Sequence, residues 1–225
     1  MSISFNERQQ EILVGSILGD GFLTSSLGGN AYFRFKQCEK RQDYVFWMYE
    51  ELKDFCCSGP KQRKDNQQWY FLTRCLPVFN ILKDVFYPEG KKVIPDDIEG
   101  ILISPLSLAV WYMDDGTLDY RPNYHCSFSF STHSFSLKGV QRLVVTLKDN
   151  FGIESSMSNN LIRGVRYPRI YVGTKGRDRL IELISPYILD CFKYKLPQYR
   201  QPLRDFSRIK LGRWQVPENQ ENKLP

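Results

Sequence analysis

The residues of this chain that could do chemistry are acids at two helix ends. One segment reads Leu13-Val14-Gly15-Ser16-Ile17-Leu18-Gly19-Asp20-Gly21, and a second reads Leu108-Ala109-Val110-Trp111-Tyr112-Met113-Asp114-Asp115-Gly116. Each is an apolar helical run that ends in Asp-Gly. A lone Asp-Gly in such a place reads as a C-cap, because glycine takes the left-handed conformation at low cost. An acid there is electrostatically poor, since the helix dipole is negative at its C-terminus. Capping does not require it, and a bound cation would remove the conflict. Gly15, Ser16 and Gly19 on one helix, and Ser107 and Ala109 on the other, are small enough for close approach. Packed together, these helices would bring Asp20 and Asp115 to one end of a seam, with Asp114 beside them. Two carboxylates and nearby peptide carbonyls form a hard oxygen site, which suits Mg2+. Such an ion activates water and stabilises a leaving phosphate-ester oxygen.

Other chemistries have fewer residues to work with. Only His125 and His133 exist, so a nuclease built on several histidines is excluded unless both serve. The six cysteines form no C-x-x-C pair, which argues against a zinc ribbon or finger. With no secretion signal visible, free thiols in a reducing compartment are expected. The net charge of +6 is unevenly spread, with eight basic residues against three acidic ones from Cys191 to Pro225. Further basic clusters sit at 34–41, 61–64 and 163–179, and they suggest a polyanion partner if they are more than solvated faces. A chain of 225 residues, 42% hydrophobic and 25% charged, can bury a core and is not a disordered or low-complexity chain. The longest apolar stretch, Ile98 to Met113, is too short and too broken to cross a bilayer, so no membrane partner is expected. The N-terminus MSISFNERQQ lacks the layout of a signal peptide, and no transit peptide is visible.

The elements that must position these acids repeat. Asp20 and Asp115 are 95 positions apart. At that offset Leu23 matches Leu118, Phe33 matches Phe128, Phe35 matches Phe130, and Leu52-Lys53-Asp54 matches Leu147-Lys148-Asp149. The offset then drifts, and Lys92 before Pro95 pairs with Lys195 before Pro197 at 103. Each unit reads αββαββα. Helices are expected at Glu7 to Leu18 and Pro105 to Met113, then Gln42 to Phe55 and Leu137 to Asn150, then Leu76 to Phe86 and Asp178 to Leu189. Alternating strands are expected at Tyr32 to Lys36 and Ser127 to Ser131, with phenylalanines inward. Further strands are expected at Lys61 to Lys64, Trp69 to Arg74, Ser156 to Arg163 and Arg169 to Gly173. The expected division is a first repeat at 1–89, a linker at 90–104, a second repeat at 105–197 and a basic tail at 198–225.

These motifs, their spacing and the element order resemble the LAGLIDADG homing endonucleases of the single-chain, two-motif branch. The resemblance runs from about Asn6 to Pro197. The second motif is similar to the W-x-M-D-D-G subgroup, preceded by K-K-x-I-P (Lys91 to Pro95) and followed by Y-K-L-P (Tyr194 to Pro197). It implies an α+β fold in which two pseudo-symmetric αββαββα half-domains join through packed motif helices, with saddle-shaped antiparallel sheets over DNA. It implies that Asp20 and Asp115 ligate catalytic Mg2+, with Gly19 and Asp114 as further members of the metal site. It implies that Lys92 and Lys195 sit beside the scissile phosphates. Two or three divalent ions are implied, with Mn2+ able to substitute and Ca2+ binding without cleavage. Val110 and Trp111 depart from the idealised motif, so symmetric packing of the two helices is not expected.

Double-stranded DNA is the implied partner, bound by a monomer and cut on both strands to leave short 3′ overhangs. A β-ribbon fits the major groove, where Arg, Lys, Gln and Asn read base edges. The outward candidates are Arg34, Lys36, Lys61, Arg63 and Gln68, then Ser127, Ser129, Asn159, Arg163, Arg166 and Arg169. A one-residue slip would exchange the faces. Unlike residues at matched positions imply a non-palindromic target. Two other readings use the same fold: an intron-RNA splicing maturase, and a DNA-binding regulator without cleavage. Retention of both acids and both lysines argues against the regulator. The compartment is open: organelle matrix or stroma if organelle-encoded, otherwise prokaryotic cytoplasm.

Overall fold

The computed structural model of the chain describes residues 4–25, 29–162 and 164–200. The expected reader Arg163 and all of the expected tail beyond 200 lie outside the described residues. Helix α1 (Glu7–Leu18) opens on a reciprocal cap. Asn6 Oδ1 accepts from the Gln9 amide at 2.8 Å, and Gln9 Oε1 accepts from the Asn6 amide at 3.1 Å. Helix α5 (Pro105–Asp115) opens on Ser104, whose Oγ accepts from the Leu106 amide, with proline in the first turn. Burial is unbroken from Ile12 to Leu18 on α1 and from Leu106 to Asp114 on α5. Helices buried all round belong at the centre of a fold, and these two pack against each other there.

Small residues set their separation. A Cβ on Gly15 would stand 2.3 Å from the Ser107 carbonyl oxygen and 2.8 Å from Val110 Cβ. Ser107 Oγ donates across the seam to the Glu11 carbonyl at 2.7 Å. The Asp-Gly glycines do not cap in the left-handed form, since Gly116 has φ −72° and Gly21 is not among the positive-φ glycines. They are close-approach positions instead. A Cβ would meet Ser16 Oγ at 2.5 Å from Gly21, and the Tyr112 ring at 2.1 Å from Gly116.

Each central helix leads into a four-stranded antiparallel sheet. In the first, β1 (Phe22–Ser25), β2 (Ala31–Gln37), β4 (Trp69–Leu72) and β3 (Lys61–Gln62) lie in that order. In the second the order is β5 (Gly116–Arg121), β6 (His125–Ser131), β8 (Val165–Val172) and β7 (Ser156–Ile162). Phe33, Phe35 and Phe71 form the buried face of the first sheet; Phe128, Phe130, Ile170 and Val172 form that of the second. Helices α2 (Gln42–Leu52) and α3 (Val78–Phe86) cover the first, and α6 (Leu137–Phe151) and α7 (Thr174–Ile184) cover the second.

Several boundaries differ from expectation: α2 ends at Leu52 rather than Phe55, α3 starts at Val78 rather than Leu76, β4 ends at Leu72 rather than Arg74, and β8 starts at Val165 rather than Arg169. Strand β3 stops at Gln62 because the next residues turn: the Arg63 amide donates to Gln68 O, the Gln67 amide donates to Arg63 O, and Gln67 has φ 57°. Helix α7 starts at Thr174 rather than Asp178, and it gives way to 3-10 turns after Ile184. The expected linker, 90–104, carries the short α4 (Ile98–Ile101), whose Ile98 is buried with Leu102. Among the described residues no helix is long and apolar enough to cross a membrane.

Gly15→Ala should destabilise the fold by about 1–3 kcal/mol, because overpacking of the seam outweighs alanine's better helix propensity. Denaturant unfolding checks this, and a gain in stability would contradict the close seam.

Candidate active site and nucleic-acid interface

A helix end leaves carbonyls without partners, at the negative pole of its dipole. Here each end is closed by a lysine. Lys92 Nζ donates to the Gly19 and Gly21 carbonyls, both at 2.8 Å. Lys195 Nζ donates to the Met113 carbonyl at 2.6 Å and the Tyr112 carbonyl at 3.3 Å. Tyr112 Oη donates back to the Lys195 carbonyl at 2.8 Å. Neither lysine is an ordinary surface group: Lys195 is buried and Lys92 half-buried. Burial pulls the Lys195 ammonium down to about 8, with Arg41 adding to the effect and the three aspartates opposing it. Burial also lowers Lys92, against the charges of Asp115, Asp114 and Asp20.

The carboxylates do different jobs. Asp20 Oδ2 accepts from Gln37 Nε2 at 2.7 Å. Asp114 Oδ1 is hydrogen-bonded by the Tyr44 hydroxyl at 2.8 Å, and its Oδ2 accepts from the Asp20 amide at 3.1 Å. Asp115 accepts no hydrogen bond among the described residues. Burial and the charge of Asp20 push Asp115 up to about 7, although both lysines pull it down. Burial and Asp20 also hold Asp114 well above the usual carboxylate range.

The four expected metal ligands are therefore unequal. Both oxygens of Asp114 are engaged inside the protein, where they tie the end of α5 to Tyr44 and to the Asp20 backbone. The Gly19 carbonyl already serves Lys92. Asp20 and Asp115 keep oxygens without protein partners. Among the described residues no three His, Cys, Asp or Glu side chains form a metal-holding group.

Three residues missed from the sequence complete the centre. Gln37 is buried on the Phe33–Phe35 face of β2, and Arg41 Nη1 donates to its Oε1 at 3.3 Å. Arg41 Nη2 donates to Tyr194 Oη at 3.1 Å, which links the two halves. Tyr44 is fully buried on α2. A polar Gln37 at the end of an otherwise apolar parity was the available signal. A cavity of about 280 Å³ opens beside Asp115, lined by Arg41, Tyr194, Lys195 and Arg200 among others.

The expected DNA readers divide by strand face. Arg34 and Lys36 are exposed opposite the buried Phe33 and Phe35, and Lys61 joins them through the Lys36–Tyr70–Lys61 row. Arg63 lies in the turn, where Asp65 holds its guanidinium at 2.9 and 2.7 Å. Gln68 is half-buried just before β4. Ser127 and Ser129 alternate outward from Phe128 and Phe130, but they are not solvent-facing, with 3% and 4% exposure. His125 Nε2 pairs with Ser127 Oγ at 2.8 Å, and the Arg169 guanidinium donates to Ser129 Oγ, so longer neighbours overtop them. Cross-strand partners share a face. Ser131 and Arg169 are partners, so Arg169 lies on the Ser129 face. Asn159 pairs with Pro168, which is buried with Ile170, so Asn159 and Arg166 take the opposite parity and are exposed only where the hairpin outruns the core.

Tyr44→Phe should cost about 1–3 kcal/mol of stability by stripping a buried acceptor of its donor. Thermal or denaturant unfolding measures it, and an unchanged midpoint would contradict the bridge to Asp114.

Comparison with known proteins covers the same region. Residues 10–180 match the model of the LAGLIDADG DNA endonuclease family. The chain is 28% identical over 212 residues to DNA endonuclease I-ChuI of Chlamydomonas applanata, across 86% of this chain and 96% of that protein. It is 30% identical over 205 residues to the cytochrome b mRNA maturase bI2 of Saccharomyces cerevisiae, across 84% of this chain but 47% of the maturase. Among solved structures, the homing endonuclease I-WcaI bound to its DNA recognition sequence matches with TM-score 0.76 and 26% identity, across 86% of this chain and 88% of that one. The chain belongs to the LAGLIDADG DNA endonuclease family.

Proposed function

We propose that this protein is a site-specific endonuclease that hydrolyses both strands of duplex DNA with Mg2+ and leaves short 3′ overhangs. The observation that carries the reading is the pair of helix ends at which Asp20 and Asp115 converge, each closed by a lysine. Burial and the neighbouring Asp20 raise Asp115, and the free carboxylate oxygens are the hard donors Mg2+ prefers. Phosphate oxygens and water would complete the shell, since the side chains alone do not. When bound, Mg2+ supplies a lowered water pKa and charge stabilisation at phosphorus.

The chain's own groups do the rest. Gln37 fixes the Asp20 carboxylate, and Asp114 fixes the backbone that carries it. Lys92 and Lys195 each use two donors on helix carbonyls, which leaves a third N–H for a phosphate oxygen. Their ammonium charge opposes the negative charge that develops there. Arg34, Lys36, Lys61 and Arg169 supply backbone and base contacts along the sheets. One chain holds both half-sites, so a monomer suffices. The fused repeats at 1–89 and 105–197 act as one unit. The likeness to a cytochrome b mRNA maturase supports a second reading, in which a basic surface also binds intron RNA.

Cleavage selection from a randomised duplex library in Mg2+ tests the reading: a single long asymmetric site is expected, and no enriched site would overturn it. On that site, Asp20→Asn and Asp115→Asn should each abolish double-strand cleavage while specific binding in Ca2+ persists. Lost binding with retained metal dependence would reject the assignment. Lys92→Ala and Lys195→Ala should slow cleavage about 10²–10³-fold with a smaller change in Kd, and unchanged rates would refute their role. Affinity should fall about 10³–10⁵-fold between 50 and 200 mM salt if six to ten phosphates are contacted. A flat gel-shift response would exclude a phosphate-bound partner.

A further inference from the structure

The two sheets present matched rows of very different chemistry. In the first, Phe22, Arg34 and Leu72 are cross-strand partners on β1, β2 and β4. They share the face opposite Phe33 and Phe71. Phe22 is 37% exposed and Leu72 41% exposed. Tyr87 braces Phe22 edge-on at 5.5 Å, and the Arg34 guanidinium lies 5.2 Å from the Phe22 ring centroid. The row is thus a cation between two exposed apolar groups. In the second sheet the matched row is Thr117, Ser129 and Tyr171, three hydroxyl-bearing residues.

The pairing of a guanidinium with a half-exposed apolar side chain on either side suits a ligand that carries both charge and apolar groups. Lys36 and Lys61 on the neighbouring row give that face a positive charge suited to a duplex. In the major groove, guanine offers N7 and O6 to a guanidinium fork, and thymine alone among the bases carries a methyl. Three neighbouring strands span about 10 Å, close to three base steps of about 3.4 Å. Resting on the duplex-DNA reading above, we propose that Phe22 and Leu72 form a methyl-reading site for thymine, beside a guanine held by Arg34. At the matched row of the second sheet Ser129 is buried beneath Arg169, so no exposed cation is flanked by an apolar pair there, and no such sensitivity is expected in the second half-site.

The test uses the full chain and the site recovered by cleavage selection. Arg34→Ala marks the half-site under the first sheet, because base preference should relax there. Thymines of that half-site are then replaced by deoxyuridine, which removes only the methyl, and binding is measured in Ca2+. We expect about three- to fivefold weaker binding for each methyl that Phe22 or Leu72 contacts. The same replacement in the other half-site should change nothing. Leu72→Thr, at an exposed strand position, should remove part of the sensitivity while the folded protein still binds the uracil duplex. The proposal is overturned by equal binding of thymine and uracil duplexes, by equal loss in both half-sites, or by a selected site with no thymine under the first sheet. Each of those leaves the endonuclease reading standing. If no duplex is bound or cut, that reading fails and this proposal falls with it.

Discussion

Two helix C-termini held side by side concentrate negative potential at one point, and the polar architecture around them answers that fact. The close approach is possible because Gly15 lies against the Ser107 carbonyl and Gly19 against the Asp114 side chain. The same approach places Asp20, Asp114 and Asp115 where burial and mutual repulsion raise the pKa of the last two. Lysines at both carbonyl ends, a tyrosine on Asp114 and a glutamine on Asp20 hold this arrangement together. Asp115 keeps its oxygens without hydrogen-bonding partners among the described residues, and with the free oxygen of Asp20 they are the basis for proposing a cation at the seam.

The two halves are related but not interchangeable. Asp20 is held by Gln37, while Asp115 has no hydrogen-bonding partner among the described residues. Asp114 stands at the position of Gly19 in the other repeat, and it is the group that ties α5 to Asp20. Arg41 crosses from the first half to Tyr194 of the second. The matched outward rows differ as well: Arg34 stands exposed between Phe22 and Leu72 on one sheet, while Ser129 is buried beneath Arg169 on the other. Such differences suit a target whose half-sites are unlike.

Much of this was legible in the sequence, for identifiable reasons. Helix α1 was readable to its ends because Asn6 and Gln9 form a reciprocal cap and the apolar run is continuous. The repeat alone paired Lys92 with Lys195, which stand three and two residues before a proline at an offset of 103. Arg34 and Lys36 were readable because Phe33 and Phe35 fix the phase of β2. The start of α7 was hidden by Gly176, a poor helix former that is required here because a Cβ would meet the Glu154 carbonyl oxygen at 2.1 Å. The phase of β7 and β8 was hidden because Pro168, not an aromatic pair, marks their buried face. The burial of Ser127 and Ser129 depends on how His125 and Arg169 fold over them, which no local pattern records. Tyr44 and Gln37 act across the fold, so their roles exist only once α1, α2, β2 and α5 are assembled.

The central claim is that the helix seam is a cation site built jointly by both repeats. Anomalous diffraction from crystals of the protein with its selected duplex and Mn2+ tests it most directly. The account predicts anomalous peaks at the Asp20 and Asp115 carboxylates, shared with phosphate oxygens of the DNA. Well-ordered DNA with no peak at either carboxylate, or with Mn2+ held only elsewhere, would contradict it.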